Sequence, residues 1–193
     1  MIVAHPDDET LWAGKTIAEH PHTGVLCLTN RGSASRRRAF HGATRALGAV
    51  GVILDLPDRR VEQPTAEDDL LIVNALDFVL RPRRPLVLLT HAPEGEYGHP
   101  LHRRVSALVT DSAYSRGLEL WYFDFAPLAE PLPDMTPPEK VEALEKYFPP
   151  GSDIATTDMD HMRLSLLEAP TPASSYHGRS SAIASIYGPE GLL

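Results

Sequence analysis

The chain has 193 residues, 42% of them hydrophobic, and carries a formal net charge of −8. This length is enough for one domain with a core beneath an outer layer of helices, and the acidic balance argues against a nucleic-acid-binding surface. The single cysteine excludes an intrachain disulfide, and no apolar run approaches the roughly 18 residues that a membrane-spanning helix needs.

These properties predict one domain over residues 1–193, with its core over about 1–148 and a C-terminal extension over about 149–193. The chain opens directly on an apolar strand, so we expect a soluble cytoplasmic protein without membrane insertion, and a homo-oligomer stays open. Basic clusters at residues 36–38 and 81–84 are interpreted as surface, and only the first is kept as a candidate substrate contact.

Apolar runs and helical spacing alternate along the chain. Strands are predicted over residues 1–4, 25–29, 51–56, 85–90 and 118–125. Helices are predicted over about 8–20, from Ser33 or Ser35 to about 47, about 70–80 after a capping signal at Thr65 and Asp68, about 99–114, and 138–148. Because strand and helix alternate with short connections, we predict an α/β fold, a Rossmann-like three-layer α/β/α arrangement around a mostly parallel sheet.

The first strand runs directly into the motif AHPDDE at residues 4–9. His5 and Asp8 are three residues apart at a helix start, so both side chains can face one point, while Asp7 lies between them with its carboxylate free for another task. The alternative interpretation is an acidic helix N-terminus, which the helix dipole favours. That alternative accounts for the three carboxylates but not for His5.

The stretch EGEYGHPLH at residues 94–102 repeats the pattern, with His99 before a proline and His102 three residues later. Imidazole and carboxylate are ligands that suit zinc, and a catalytic zinc takes three protein ligands and leaves one position for water. Because the first and fourth strands end at His5 and His91, both stretches are expected at the same edge of the sheet. The residues alone offer four candidate ligands, one more than needed.

Other polar residues are interpreted more simply. His91 is either a partner of a neighbouring side chain, a substrate contact or a hydrogen-bonded loop imidazole, and these alternatives stay open. Residues 158–161, with the sequence DMDH, are interpreted as a polar loop because no strand end or partner motif accompanies them. The Ser-, Tyr- and Gly-rich stretch over 174–188 is open between a lid, an oligomer contact and a loosely ordered segment.

Together, the two motifs resemble the LmbE-like, PIG-L-type zinc-dependent de-N-acetylases, which remove acetyl groups from N-acetylglucosamine-type amino sugars. The resemblance covers residues 1 to about 125. It implies an N-acetylated amino-sugar conjugate as substrate and a zinc ion, or another divalent metal such as iron, as cofactor.

The implied metal ligands are His5, Asp8 and His102. The implied catalytic residues are Asp7 as general base, His99 as oxyanion stabiliser or proton donor, and Tyr97 near the carbonyl oxygen. The implied substrate contacts are Asp58 and an arginine among residues 36–38, taken as Arg37, with His91 added from its place at a strand end.

The chain departs from the family pattern at two positions. Many members carry a carboxylate at the position of Leu101 that supports the neighbouring imidazole, and a glutamate at the position of Ala39 and Phe40. Two alternative functions therefore accompany the deacetylase prediction. One is an amidase that cleaves a thiol conjugate of a related glycoside, and the other is a catalytically silent relative that binds a sugar or nucleotide.

Overall fold

The computed structural model describes residues 1–58, 65–80, 87–124, 138–149 and 168–176. The strands are β1 (Ile2–Val3), β2 (Gly24–Thr29), β3 (Val50–Leu56), β4 (Val87–Thr90), β5 (Glu119–Tyr122) and β6 (Thr171–Pro172). The helices are α1 (Asp8–Glu19), α2 (Ala34–Ala46), α3 (Ala66–Val79), α4 (Pro100–Arg116) and α5 (Pro138–Tyr147), and a short 3-10 turn covers Ala173–Ser175. These bounds agree with the predicted elements to within a few residues, except β6, which was not predicted.

The strands form a mostly parallel sheet. β1, β2 and β3 pair in parallel, β4 pairs in parallel with β5, and β6 pairs antiparallel with β5. Side chains join β1 to β4: the Thr90 hydroxyl donates to the Ile2 carbonyl at 2.9 Å, and the Ala4 amide donates to His91 Nε2 at 3.0 Å. Backbone pairing thus gives two three-stranded sets, β3-β2-β1 and β4-β5-β6, and these side-chain contacts place β1 beside β4, so that their carboxyl ends are adjacent.

Helices cover both faces of the sheet, as predicted. One buried cluster joins the sheet to α1, α2 and α5 through Trp12, Phe40 and Leu144. The other joins it to α3 and α4 through residues such as Leu76 and Val105. Cys27 is fully buried within the first cluster.

Local signals in the sequence set the helix ends. The Ser33 side chain accepts from the Arg36 amide at the start of α2, and Thr65 with Asp68 forms a capping box at the start of α3. Gly117 ends α4 in the left-handed conformation, at φ 61°, which a residue without Cβ adopts without strain.

A kink interrupts α1 at Ala13, whose φ of −146° is not helical. Glu168 accepts from the amides of Lys15 and Thr16 beyond the kink, at 2.9 and 2.7 Å. Lys140 of α5 donates to the Leu11 carbonyl before it, at 2.9 Å, and to Glu168 at 2.8 Å. This ion pair thus satisfies backbone groups that the kink removes from the helix.

Part of the predicted C-terminal extension returns to the sheet. β6 pairs with β5, and Tyr176 donates from its hydroxyl to Glu94 at 2.7 Å. The predictions for residues 81–86, 158–161 and 177–188 lie outside the described residues. Within the described ranges, no helix combines the length and apolar character required to cross a membrane.

Candidate metal centre

The first motif forms the loop between β1 and α1. The His5 amide donates to Asp8 Oδ2 at 2.8 Å, and the Trp12 indole donates to Asp8 Oδ1 at 3.1 Å. Both carboxylate oxygens of Asp8 are therefore oriented by neighbouring donors, and the whole group is buried. Pro6 lies just before the helix, where its missing N–H costs no intrahelical hydrogen bond.

Asp7 has an unusual backbone conformation in this loop. Its φ is 124° and its ψ is −34°, a region that residues with a Cβ rarely adopt. Its amide donates to Glu9 Oε2 at 3.1 Å, and its carbonyl accepts from the amides of Thr10 and Leu11 at 2.9 and 2.8 Å. Glu9 also accepts from the Thr10 hydroxyl at 2.8 Å, so it stabilises the loop from within.

The second motif forms the loop between β4 and α4. Gly95, Glu96 and Gly98 have positive φ values of 70°, 51° and 88°, so this short loop reverses direction sharply. A Cβ on Gly95 would lie 2.7 Å from the His99 carbonyl oxygen, a contact that only glycine avoids. The loop ends with His99 at the N-cap of α4, and His102 lies in the first turn of that helix.

Three donor atoms from the two motifs meet at one point. His5 Nδ1 and His102 Nε2 lie 3.0 Å apart, and each lies 3.4 Å from Asp8 Oδ2. Ligands that lie about 2.1 Å from a tetrahedral zinc ion are separated from one another by about 3.4 Å. Two imidazole nitrogens and one carboxylate oxygen at this spacing fit a divalent ion of the zinc type.

Two overlapping groups in the described part of the chain have donor atoms within 4.8 Å of one another: His5, His99 and His102, and Asp8, His91 and His102. In the second group, His91 Nε2 already accepts the Ala4 amide hydrogen, so its lone pair is in use. The first group differs from the set described above by replacing Asp8 with a third imidazole.

Each of the two converging imidazoles has a carboxylate at its other nitrogen. His5 Nε2 lies 3.1 Å from Asp58 Oδ1, and His102 Nδ1 lies 2.5 Å from Glu96 Oε2. An ionised carboxylate only accepts hydrogen bonds, so the outer nitrogens carry protons, and an inner nitrogen presents a lone pair once its imidazole is neutral. This arrangement is typical of histidines that bind metals.

The pKa values of the two converging imidazoles shift in opposite directions, because burial dominates at His102 and lowers its pKa to about 4. Burial alone would lower the pKa of His5, but hydrogen bonds and charge interactions with Asp58 and Asp8 outweigh it and raise the pKa to about 9. The pKa of Asp8 is held well below its usual value: burial would raise it, but the charges of His102 and His91 outweigh that effect. Burial also raises the pKa of Glu9 to about 8.

His99 and Tyr97 lie beside the converging atoms. The His99 ring centroid is 4.8 Å from that of His5 and 4.4 Å from that of His102, and the Tyr97 ring is 5.8 Å from His99. Burial, followed by the charges of His102 and His5, lowers the pKa of His99 to about 3. Its Nδ1 is buried without a hydrogen-bond partner among the described residues, and the side chain of Leu101, two residues later, has no acceptor to offer.

The comparison with known families identifies the chain. The family model described as PIG-L, GlcNAc-PI de-N-acetylase, matches residues 1–113, which include both motifs. The chain belongs to the PIG-L family. A 1D-myo-inositol 2-acetamido-2-deoxy-alpha-D-glucopyranoside deacetylase of Saccharopolyspora erythraea is 29% identical over 58% of this chain and 52% of its own length. The uncharacterized protein L374 of Acanthamoeba polyphaga mimivirus is 30% identical over 58% of this chain and 56% of its own length.

A solved structure shares the fold. The conserved protein TT1542 from Thermus thermophilus aligns with a TM-score of 0.54 and 25% identity, over 77% of this chain and 78% of its own. This similarity confirms the predicted α/β architecture with its mostly parallel sheet. The chain spans a little more than half the length of the two curated PIG-L relatives named above.

The three predicted substrate contacts of this PIG-L chain have different surroundings in the structure. Asp58 lies at the centre, with one carboxylate oxygen on His5. Arg37 is exposed on α2 and donates to the Arg31 carbonyl at 2.8 Å. His91 is fully enclosed, and its two ring nitrogens contact Ala4 and Glu96, so its surroundings fit support of neighbouring side chains better than contact with a substrate.

Sequence reasoning assigned no role to Glu96. This carboxylate is fully buried, and it contacts both His91 and His102. The available signal was its place between two glycines in a motif that otherwise supplies imidazoles, because a charged residue in a tight glycine turn can point inward. Spacing alone does not distinguish it from the neighbouring Glu94.

Proposed function

We propose that this chain is a zinc-dependent hydrolase that removes the acetyl group from an N-acetylated amino-sugar conjugate. The observation that carries the proposal is the mutual spacing of His5 Nδ1, Asp8 Oδ2 and His102 Nε2, between 3.0 and 3.4 Å. A hydrogen-bonded protein interior has no need of two imidazoles and a carboxylate aimed at one point. An ion bound there would displace the proton that His5 Nδ1 and His102 Nε2 share at 3.0 Å.

In this proposal His5, Asp8 and His102 hold the ion, and a zinc or iron(II) ion is compatible with two nitrogen donors and one oxygen donor. The bound ion would supply Lewis-acid chemistry, lowering the pKa of water towards about 7 and polarising the acyl carbonyl. Asp58 and Glu96 fix the tautomers of the two imidazoles, so the protein presents lone pairs to the ion without rearrangement.

Asp7 is the proposed general base. It is buried beside Asp8, and its carboxylate would accept a proton from the attacking water. The developing oxyanion then needs donors, and His99 and Tyr97 lie beside the converging atoms where they would supply hydrogen bonds. Because burial keeps His99 neutral, the leaving amine would take the proton that Asp7 accepted from the water.

The proposed substrate is a glycoside of N-acetylglucosamine. The printed name of the Saccharopolyspora relative describes a deacetylase of an inositol-linked 2-acetamido-2-deoxyglucose, which supports this substrate class. Asp58 and Arg37 are the proposed contacts for sugar hydroxyls, and Asp58 would serve the substrate in addition to its contact with His5. His91 is proposed to support neighbouring side chains rather than to contact the substrate.

The test measures acetate release and zinc content together. Zinc-loaded protein is incubated with a panel of N-acetylglucosaminides that includes an inositol conjugate. Wild type is expected to release acetate, and Asp7→Asn to lower the rate by about 100- to 10,000-fold while keeping one zinc per chain. Asp8→Asn is expected to lose zinc. Asp77→Asn, on the exposed side of α3, is the matched control and should change neither quantity.

The unpartnered Nδ1 of His99 favours one competing function, a silent relative that binds the sugar without hydrolysis. Sugar binding that is retained in wild type and in Asp7→Asn, with no acetate from either protein, would establish that alternative. Wild-type protein that never retains zinc would overturn the hydrolase proposal itself. Release of the thiol-bearing acyl group from a thiol-conjugated glycoside, with no acetate from the N-acetylglucosaminides, would move the assignment to the related amidase.

A further inference from the structure

The Glu96 carboxylate is fully buried and accepts hydrogen bonds from three donors. Its Oε1 accepts from the Ala92 amide at 3.0 Å, and its Oε2 accepts from His91 Nδ1 at 2.7 Å and from His102 Nδ1 at 2.5 Å. The rings of His91 and His102 stack with centroids 3.9 Å apart, so both reach the same oxygen from nearly parallel planes.

The contacts of Glu96 determine where each imidazole carries its proton. Because the carboxylate only accepts, both Nδ1 atoms are protonated. His91 Nε2 is then free to accept the Ala4 amide hydrogen, which joins β1 to β4. His102 Nε2 is left with its lone pair toward His5 and Asp8. One buried side chain therefore sets two tautomers, one structural and one at the candidate centre.

The loop is built to bring this carboxylate inward. Glu96 has a positive φ of 51°, between Gly95 and Gly98 at 70° and 88°. A non-glycine residue in the left-handed region is uncommon and strained. The hydrogen bonds of the buried carboxylate offset that strain. Glu94, two residues earlier, instead points to the C-terminal segment, where it accepts from Tyr176.

We infer that Glu96 is a positioning residue that holds His102 in the tautomer able to bind the ion and locks it to the β1–β4 junction through His91. The inference rests on the proposed function of His102 as a metal ligand. It adds a residue to which neither the motif spacing nor the resemblance assigns a role. Glu96 itself touches neither the ion nor the substrate.

Glu96→Gln tests the inference because the amide has nearly the same shape but only one acceptor. If its oxygen replaces Oε2, the NH₂ group faces the Ala92 amide. If its oxygen replaces Oε1, the NH₂ group donates to the imidazoles and favours the His102 tautomer protonated at Nε2. Either arrangement loses a contact, and the second blocks the lone pair that would bind zinc.

Two measurements separate positioning from simple structural support. Zinc affinity, measured by competition with a chromogenic chelator, is expected to fall about 10- to 100-fold in Glu96→Gln. Ring ¹⁵N spectra of the zinc-free proteins should show His102 protonated at Nδ1 in wild type and shifted toward Nε2 in the variant. Glu96→Asp keeps the charge but is shorter, so it should recover part of the affinity.

Glu168→Gln is the matched control, because it removes another buried glutamate with backbone and ion-pair contacts. It should lower stability and leave zinc affinity and the His102 spectrum unchanged. Glu96→Gln with wild-type zinc affinity would overturn the inference, whereas a wild type that binds no zinc would overturn the proposed function. If Glu96→Gln does not fold, a wild-type His102 protonated at Nε2 overturns the inference.

Discussion

Two buried charged clusters in this chain differ in what their polar atoms face. Around the kink in α1, Lys140 and Glu168 contact each other and the backbone of the helix, so an ammonium and a carboxylate satisfy one another. In the candidate metal centre, the inner atoms of His5, Asp8 and His102 face each other at 3.0 to 3.4 Å. There the outer polar atoms of the three side chains contact other protein groups, and their inner atoms converge on one position.

The difference separates a cluster that serves folding from one that, in the proposed function, binds an ion. A buried ion pair with further hydrogen bonds is costly to break, because the remaining charge stays buried. Donor atoms that converge on one position are stabilised when a cation binds to the folded protein. Substitutions in the kink cluster should therefore change the free energy of unfolding, and those in the centre should change zinc binding.

Lys140→Ala should have the largest effect on stability. It leaves Glu168 buried without its cation and the Leu11 carbonyl without its donor, so we expect a loss of about 3 to 5 kcal/mol. Denaturant unfolding measures it. The control is Lys146→Ala on the same helix, because the side chain of Lys146 is 59% exposed and should contribute about 0.5 kcal/mol or less. Equal effects of the two variants would contradict the comparison.

Zinc should stabilise the folded protein through the other cluster. At a free zinc concentration of 100 times the dissociation constant, the expected gain is about 2.7 kcal/mol. The increment should vanish in Asp8→Asn and persist in Lys140→Ala, whose baseline stability is lower. Denaturant unfolding with and without zinc gives the zinc-dependent increment for each variant. An increment that disappears in Lys140→Ala would mean that the two clusters are coupled.

Gly14→Ala tests how tightly the Lys140 side chain packs against the kink. A Cβ at Gly14 would lie 2.8 Å from Lys140 Cγ and 3.0 Å from Cδ, and the ammonium at the end of that side chain is held on both sides. Such overpacking costs about 2 kcal/mol. Gly24→Ala is the control, since no atom lies within 4 Å of its added Cβ. In a Lys140→Ala background the cost of Gly14→Ala should shrink, and an unchanged cost would locate the strain elsewhere.

The sequence was informative wherever the structure depends on local patterns. The motif pairs His5 with Asp8 and His99 with His102 each lie three residues apart at a helix start, and the rule for strand ends brings the two pairs to one edge. The capping box at the start of α3 follows equally from Thr65 and its third neighbour. These features need no knowledge of distant contacts.

The features that sequence reasoning missed depend on distant contacts or loop geometry. Lys140 is 28 residues from Glu168 and lies on a helix with many charges, which resembles a solvated surface helix. Its burial follows only from the kink in α1. β6 escaped prediction because it has two residues, one of them Pro172, and pairs only at the sheet edge. Glu96 points inward because three residues of its loop have positive φ values, which no spacing rule reports.

The smallest predicted effect concerns the backbone of Asp7. At φ 124° a glycine is unstrained and an alanine is not, so Asp7→Gly should be about 1 kcal/mol more stable than Asp7→Ala in denaturant unfolding. Both variants lose the carboxylate, so both should release no acetate, and the difference between them isolates the backbone. Equal stability would mean that the loop relaxes once the side chain is gone. A more stable Asp7→Gly would mean that the loop tolerates an unfavourable conformation in order to hold a carboxylate beside the ion site, whereas the charges around the kink only stabilise the helix they contact.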